Sequence, residues 1–229
     1  MLDHPSTLCA QLARGELDVA LVSSFEFLRN PIYKIVDGVS ISSDGPVYSV
    51  VLAHVGDISE VNEIELDPAA ETSGNLLRCL LGELKRHPRF VKRSTSSASK
   101  ETARLLIGDQ AIRFRCEHTN EFQFFDLGEN WKKLVGLPFV YALWLVRPEV
   151  VDSKSVADRL RALRDKNLAN IGTLIAAQKE FDPDFCNRYY REHLRFNFGE
   201  REKKGLRGFH ELCQKHDLLP KREIAFSVV

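Results

Sequence analysis

Apolar positions fall in short blocks whose period switches between strand and helix along the chain. Val19 to Val22 is a continuous apolar run, which predicts a strand buried on both faces. Ahead of it, Ser6 is placed to cap a short helix that carries Leu8 and Leu12 on one face and ends at Gly15. Phe25 to Leu28 reads as one helical turn stopped by Asn30-Pro31, and Tyr33 to Ile41 alternates loosely into the polar run SSDGP. VYSVVLAHV is a second buried strand, and Ile64 to Leu66 is a short one ending at Asp67-Pro68. ETSGNLLRCLLGEL predicts a helix capped by Thr72 or Ser73, with Leu76, Leu77, Leu80, Leu81 and Leu84 as its apolar stripe. STSSASKE is a polar loop, ARLLIGDQA reads as strand, turn and helix start, and EFQFFDLGENW as a strand running into a helix. LPFVYALWLV is another buried strand. From Ser153 a helical period runs through Val156, Leu160, Leu163, Ile171, Leu174 and Ile175 to about Gln178. Asp182-Pro183 opens a second helix through Phe185 and Tyr189, and a third carries Leu206, Phe209 and Cys213 and closes near Pro220.

Strands alternating with helices imply an α/β protein with largely parallel sheets. The helical tail is expected to wrap back over one lobe. The short strands between about Asp57 and Leu137 suit a second lobe inserted into the first. A chain of 229 residues fits one large domain or two small lobes.

Charge narrows the partners. Lys+Arg and Asp+Glu are both 32, so nothing in the net charge favours nucleic acid or an anionic membrane, and any anion site must be local. The five cysteines, Cys9, Cys79, Cys116, Cys186 and Cys213, are odd in number and widely spaced, which suits reduced thiols in a cytosol. No Cys/His cluster has zinc-ligand spacing, so no metal is expected. The sequence MLDHPSTLCAQLARGELD has neither the basic nor the apolar region of a signal peptide. The longest apolar stretch, Phe139 to Val146, falls far short of the ~20 residues that span a bilayer. The expectation is a soluble, cytoplasmic protein of undetermined oligomeric state.

Three segments place polar and glycine residues just after buried strands or at a helix start, where ligands bind in open α/β sheets. Ser23-Ser24 follows the first strand, and its ordinary alternative is helix capping. Ser42-Ser43-Asp44-Gly45-Pro46-Val47-Tyr48-Ser49 offers hydroxyl donors and a glycine that lets a ligand approach, and is equally good turn chemistry. Glu71-Thr72-Ser73-Gly74-Asn75 opens a helix, whose free N–H groups and dipole make an anion site; the alternative is a plain cap. Gly108-Asp109 is a fourth, weaker candidate. No G-x-S-x-G elbow, P-loop or G-x-G-x-x-G occurs. The residues by themselves lead to a two-lobed α/β protein with a small-anion cleft.

The strings GELDVALVSSFEFL, ISSDGPVYSVVLA, ETSGNLLRCLL, LLIGDQAIRF, DLGENWKKLVGLPFVYALWLVR and FNFGEREKKGLRGFHELC, in that order, resemble the chorismate dehydratase family of the futalosine route to menaquinone. The resemblance covers nearly the whole chain, and SSDGPV followed by SV, with DLGxxWxxxxGLPFVYAxW, is its most specific part. It implies the two-lobed fold of type II periplasmic solute-binding proteins. Met1–Gly56 and Pro138–Val229 would form one lobe and Asp57–Leu137 the other, with VYSVVLAHV and LPFVYALWLV crossing between them. It also implies loss of water from chorismate, without a cofactor, to give 3-[(1-carboxyvinyl)oxy]benzoate. One substrate carboxylate would meet Thr72, Ser73 and the adjoining amides. Ser23, Ser24 and the Ser43–Val47 loop would surround the ring and the other carboxylate. No His or Glu stands out as the base, so the substrate's enolpyruvyl carboxylate is expected to take the proton.

Relatives of this family carry a strand and a Tyr-Leu-Asn-x-x-Pro loop ahead of the GELDVAL-like segment, and this sequence does not contain that motif. Either the start lies upstream of Met1, the reading favoured here, or the chain is a degenerate copy, or its first lobe is completed some other way; with an upstream start, a chain beginning at Met1 is expected to be poorly stable and nearly inactive. The neighbouring possibilities are the sister enzyme that makes 1,4-dihydroxy-6-naphthoate, an inactive small-anion-binding remnant, and an effector-sensing module.

Overall fold

The computed structural model describes residues 5–67, 70–92 and 102–229. The polar STSSASKE segment lies outside the described residues, as does Pro68 of the expected strand end. Among the described residues the order is α1 (Pro5–Arg14), β1 (Val19–Ser23), α2 (Ser24–Arg29), β2 (Lys34–Ser43), β3 (Val50–His54), β4 (Glu63–Leu66), α3 (Glu71–Glu83), β5 (Arg89–Lys92), β6 (Ala103–Ile107), α4 (Gly108–Glu117), β7 (Gln123–Asp126), α5 (Leu127–Val135) and β8 (Phe139–Val146). The tail holds α6 (Ser153–Ala169), α7 (Ile171–Ala177), α8 (Pro183–Arg188), a π-helical turn over Tyr189–His193, and α9 (Glu200–Lys215).

The strands form two sheets. One has the order β1-β8-β2, the other β5-β4-β6-β3-β7. The expectation of largely parallel sheets is corrected here. Both pairings in the three-stranded sheet are antiparallel, and in the five-stranded sheet only β4 runs parallel to its neighbours β5 and β6. Element alternation suggests crossovers but does not fix strand direction: Val50–His54 pairs antiparallel with both β6 and β7. That pairing also assigns Val50–His54 to the five-stranded sheet rather than to the sheet built on residues before it.

Aromatic packing joins the tail to the three-stranded sheet. Trp131 of α5, Phe139 of β8 and Phe209 of α9 are almost fully buried and meet edge to face, with centroids 4.9 to 6.2 Å apart. Such aromatic pairs add about 0.5–1.5 kcal/mol each beyond area burial. Helix α9 comes so close to the chain before β8 that a Cβ on Gly205 would lie 2.0 Å from the Pro138 carbonyl oxygen. Glycine is required there by contact rather than by conformation.

Two helical expectations change. Helix α3 begins at Glu71, its cap residue is Ala70, and among the described residues no side chain caps it. Thr72 sits in the first turn, with its hydroxyl turned to another partner described below. The long period from Ser153 splits at Asn170 into α6 and α7, and Leu163 and Leu174 are about half exposed rather than core. Asp182 does cap α8, accepting the Phe185 N–H at 2.8 Å.

Candidate functional site

A cleft of about 280 Å³ opens between the two sheets, at the small end for small-molecule pockets. Ser23 ends β1 on one wall, and on the other Ile107 ends β6 and Gly108 opens α4. Thr72 and Ser73 enter from the first turn of α3, Val47 and Ser49 from the loop before β3, and Tyr141 from β8. The helical tail adds Tyr189 and Leu194.

The α3 side presents donors. The first-turn amides of a helix have no intrahelical acceptor. Thr72 is 5% exposed; its Oγ1 accepts the Phe25 N–H at 3.2 Å and shares a short hydrogen bond with the Ser23 hydroxyl. This ties the end of β1 to the start of α3 across the cleft floor. Ser73 is also buried on the cleft wall, and among the described residues no protein partner engages its hydroxyl. Glu71 is the carboxylate on this wall. Burial pushes its carboxyl up, against the opposing pull of Arg29, with which it forms an ion pair.

The Ser43–Ser49 loop is arranged differently. Ser43 Oγ donates to the Gly45 carbonyl oxygen at 3.1 Å and lies 3.2 Å from the Tyr141 hydroxyl. Asp44 is held by Lys132 at 2.6 Å and Arg201 at 2.9 Å. Partial desolvation works against its ionised form, but those two cations outweigh it and keep the carboxyl below its usual value. The Pro46 carbonyl oxygen pairs with His193 Nδ1 at 3.0 Å. Ser49 accepts the Tyr189 hydroxyl at 2.8 Å, and its carbonyl accepts the Gly108 N–H at 2.7 Å. Desolvation pushes the Tyr189 phenol up to about 12 and raises the Tyr141 phenol further still, so both are neutral donors at ordinary pH.

Of the residues singled out from sequence, Ser23, Val47, Thr72, Ser73 and Gly108 come together on the cleft. Ser24 does not: it is fully buried and donates to the Val140 carbonyl oxygen at 2.7 Å. Ser43, Asp44, Gly45 and Pro46 shape the loop from behind. Gly74 and Asn75 lie on the far side of α3, facing a separate cavity of about 430 Å³ that Arg78 and Phe90 also line. Asp109 is exposed at the start of α4. Sequence reasoning named Ser49 only as the end of a candidate loop, and it missed Tyr141 and Tyr189. The serine was visible in the string SSDGPVYSV, whereas the tyrosines come from segments remote in sequence. A further cavity between α6 and the three-stranded sheet, walled by Trp144, Leu160 and Leu163, is almost wholly apolar and offers an anion little.

A two-lobed α/β chain with a donor-lined cleft between its sheets has the architecture of the type II periplasmic-binding-protein-like class. The alkanesulfonate-binding protein SsuA from Xanthomonas axonopodis pv. citri, bound to MOPS, superposes with a TM-score of 0.67 at 13% identity, covering 98% of this chain and 84% of that one. The model of the menaquinone biosynthesis family matches residues 1–215, and the chain belongs to that family. Among curated relatives, the chorismate dehydratase of Thermus thermophilus is 29% identical, over 90% of this chain and 83% of the relative. The chorismate dehydratase of Campylobacter jejuni is 23% identical, over 93% of this chain and 83% of the relative.

Proposed function

We propose that the chain is a chorismate dehydratase, a hydro-lyase that converts chorismate to 3-[(1-carboxyvinyl)oxy]benzoate on the futalosine route to menaquinone, in the cytoplasm. Family membership and the two curated relatives support the reaction. The single observation in the site that carries it is a cleft wall rich in neutral donors and poor in bases. Ser23, Thr72, Ser73 and Ser49 supply hydroxyls, and among the described residues no histidine lines the cleft.

The reaction breaks a ring C–H bond and the ring C–OH bond, forms the aromatic C=C, and releases water. In this reading one carboxylate of chorismate lies against Thr72, Ser73 and the first-turn amides of α3. Ser23, Val47 and Ser49 surround the ring, and Tyr189 closes the cleft from the tail. The substrate's enolpyruvyl carboxylate takes the proton. The protein orients that carboxylate, excludes water and offers neutral hydrogen bonds to the departing oxygen. In this reading the lobes divide as residues 1–56 with 138–229 against 57–137, and β3 crosses from the first to pair in the five-stranded sheet.

The test is direct. Purified protein incubated with chorismate should consume it and form the enolpyruvyl benzoate, identified by mass. Chorismate that binds and is recovered intact would leave a binding protein in its place.

A further inference from the structure

We propose that the Asp126-Leu127-Gly128 turn is the positioning device for the cleft loop, with Asp126 as the positioning residue that fixes where Val47, Tyr48 and Ser49 stand. The inference rests on reading this cleft as the chorismate site.

Asp126 ends β7 and caps α5, and it is 3% exposed. Its Oδ1 accepts the Glu129 N–H at 3.0 Å, the capping bond, and the Val47 N–H at 3.1 Å. Its Oδ2 accepts the Tyr48 N–H at 2.8 Å. One carboxylate therefore closes a helix and grips two consecutive amides of the cleft loop. Tyr48 needs the grip: its φ is +67°, a left-handed conformation that side chains with a Cβ rarely adopt. The Arg115 guanidinium lies over the Tyr48 ring at 4.1 Å, and Phe185 packs on it at 4.9 Å.

A second observation is independent of these bonds. A Cβ on Gly128 would lie 2.5 Å from the Gly45 carbonyl oxygen, 2.7 Å from Ser43 Oγ and 2.8 Å from the Tyr141 hydroxyl. The first turn of α5 is thus a template against which the loop is pressed. The register of β3 on β7, which sets Val51 opposite Asp126, brings the two segments together. The strings SSDGPV and DLGENW, separated in sequence, specify one joint. Val47 and Ser49 are the parts of the loop that reach the cleft wall. Moving the loop moves them.

Two substitutions separate this role from simple helix capping. In Asp126→Asn, the amide oxygen keeps the bonds to Val47 and Glu129, since asparagine caps helices as well as aspartate does. The amide nitrogen then faces the Tyr48 N–H, donor against donor. Gly128→Ala improves helix propensity while its Cβ displaces the loop. Asn130→Ala removes a bond from Asn130 Nδ2 to the Asp126 carbonyl at the same helix start without touching the loop, and serves as the control.

The expected result is faster amide hydrogen exchange at Val47 and Tyr48 in Asp126→Asn, with the exchange of α5 near wild type. Both variants should raise KM for chorismate by about tenfold or more, with kcat changed less, and Asn130→Ala should leave KM unaltered. Unchanged exchange over residues 43–49 in Asp126→Asn would overturn the proposal. The exchange experiment uses no substrate, so its outcome stands apart from the assignment of the reaction. A wild-type protein inert toward chorismate would remove that assignment, whereas unaltered loop exchange would remove the positioning role.

Discussion

Ser73 and Ser43 are both buried serines on segments that meet at the cleft, yet their hydroxyls face different tasks. That of Ser73 stands on the cleft wall with no protein partner among the described residues, while that of Ser43 is turned inward onto Gly45 and Tyr141. The contrast extends to their neighbours. The start of α3 offers first-turn amides and hydroxyls outward, and the loop before β3 engages its polar groups in holding its own shape, through Asp44 on Lys132 and Arg201 and through His193 on Pro46. A cluster of polar and glycine residues in sequence thus describes two kinds of structure. One leaves donors facing the cleft; the other builds a rigid edge beside it.

The largest effect that would sharpen this comparison comes from Thr72, which belongs to both sides. Thr72→Val keeps the shape but removes the acceptor of the buried Phe25 amide and the partner of Ser23. It should lose about 1–3 kcal/mol of stability, read from chemical denaturation, and also raise KM for chorismate. Ser73→Ala follows. It should raise KM roughly tenfold while leaving the melting temperature within about 1 °C, because no internal bond is broken. A comparable loss of stability with unaltered kinetics would place Ser73 with Ser43 and erase the contrast.

Asp44→Asn should act the other way, on stability and hardly on turnover, by about 1–2 kcal/mol near neutral pH for a partly buried pair. The sign with pH follows from the depressed carboxyl. The stabilisation is fully present above the unfolded value of about 3.9 and is lost as pH falls through the lower folded value. The stability gap between wild type and Asp44→Asn should therefore close in acid, as seen in denaturation curves taken across that range. Smallest is Ser24→Ala, which removes a buried bond to Val140 and a long 3.5 Å contact with Thr72 Oγ1. It should cost about 1 kcal/mol and leave the kinetics alone.

Much of the architecture was legible because burial writes itself into strands. Val19–Val22 and Phe139–Val146 read as strands, and the structure pairs them with each other. Strand direction was not legible, since an apolar run looks the same either way. The cleft lining was legible where a polar or glycine residue ends a strand or opens a helix, as with Ser23, Thr72 and Gly108. It failed where direction within one turn decides the outcome: Gly74 and Asn75 are adjacent to Ser73 but lie around the helix from it. Tyr189 was read only as a helical core position. Its hydroxyl reaches Ser49 from 140 residues away, through a π-helical turn that no local pattern announces.

The central claim is elimination of water in a cleft whose protein groups orient chorismate without acting as its base, and Glu71 is the carboxylate on the wall that could contradict it. The decisive measurement is kcat for Glu71→Gln alongside its Kd for chorismate. The account predicts a kcat within about threefold of wild type at saturating substrate. Turnover abolished while chorismate still binds normally would make Glu71 the base and overturn the substrate-assisted reading.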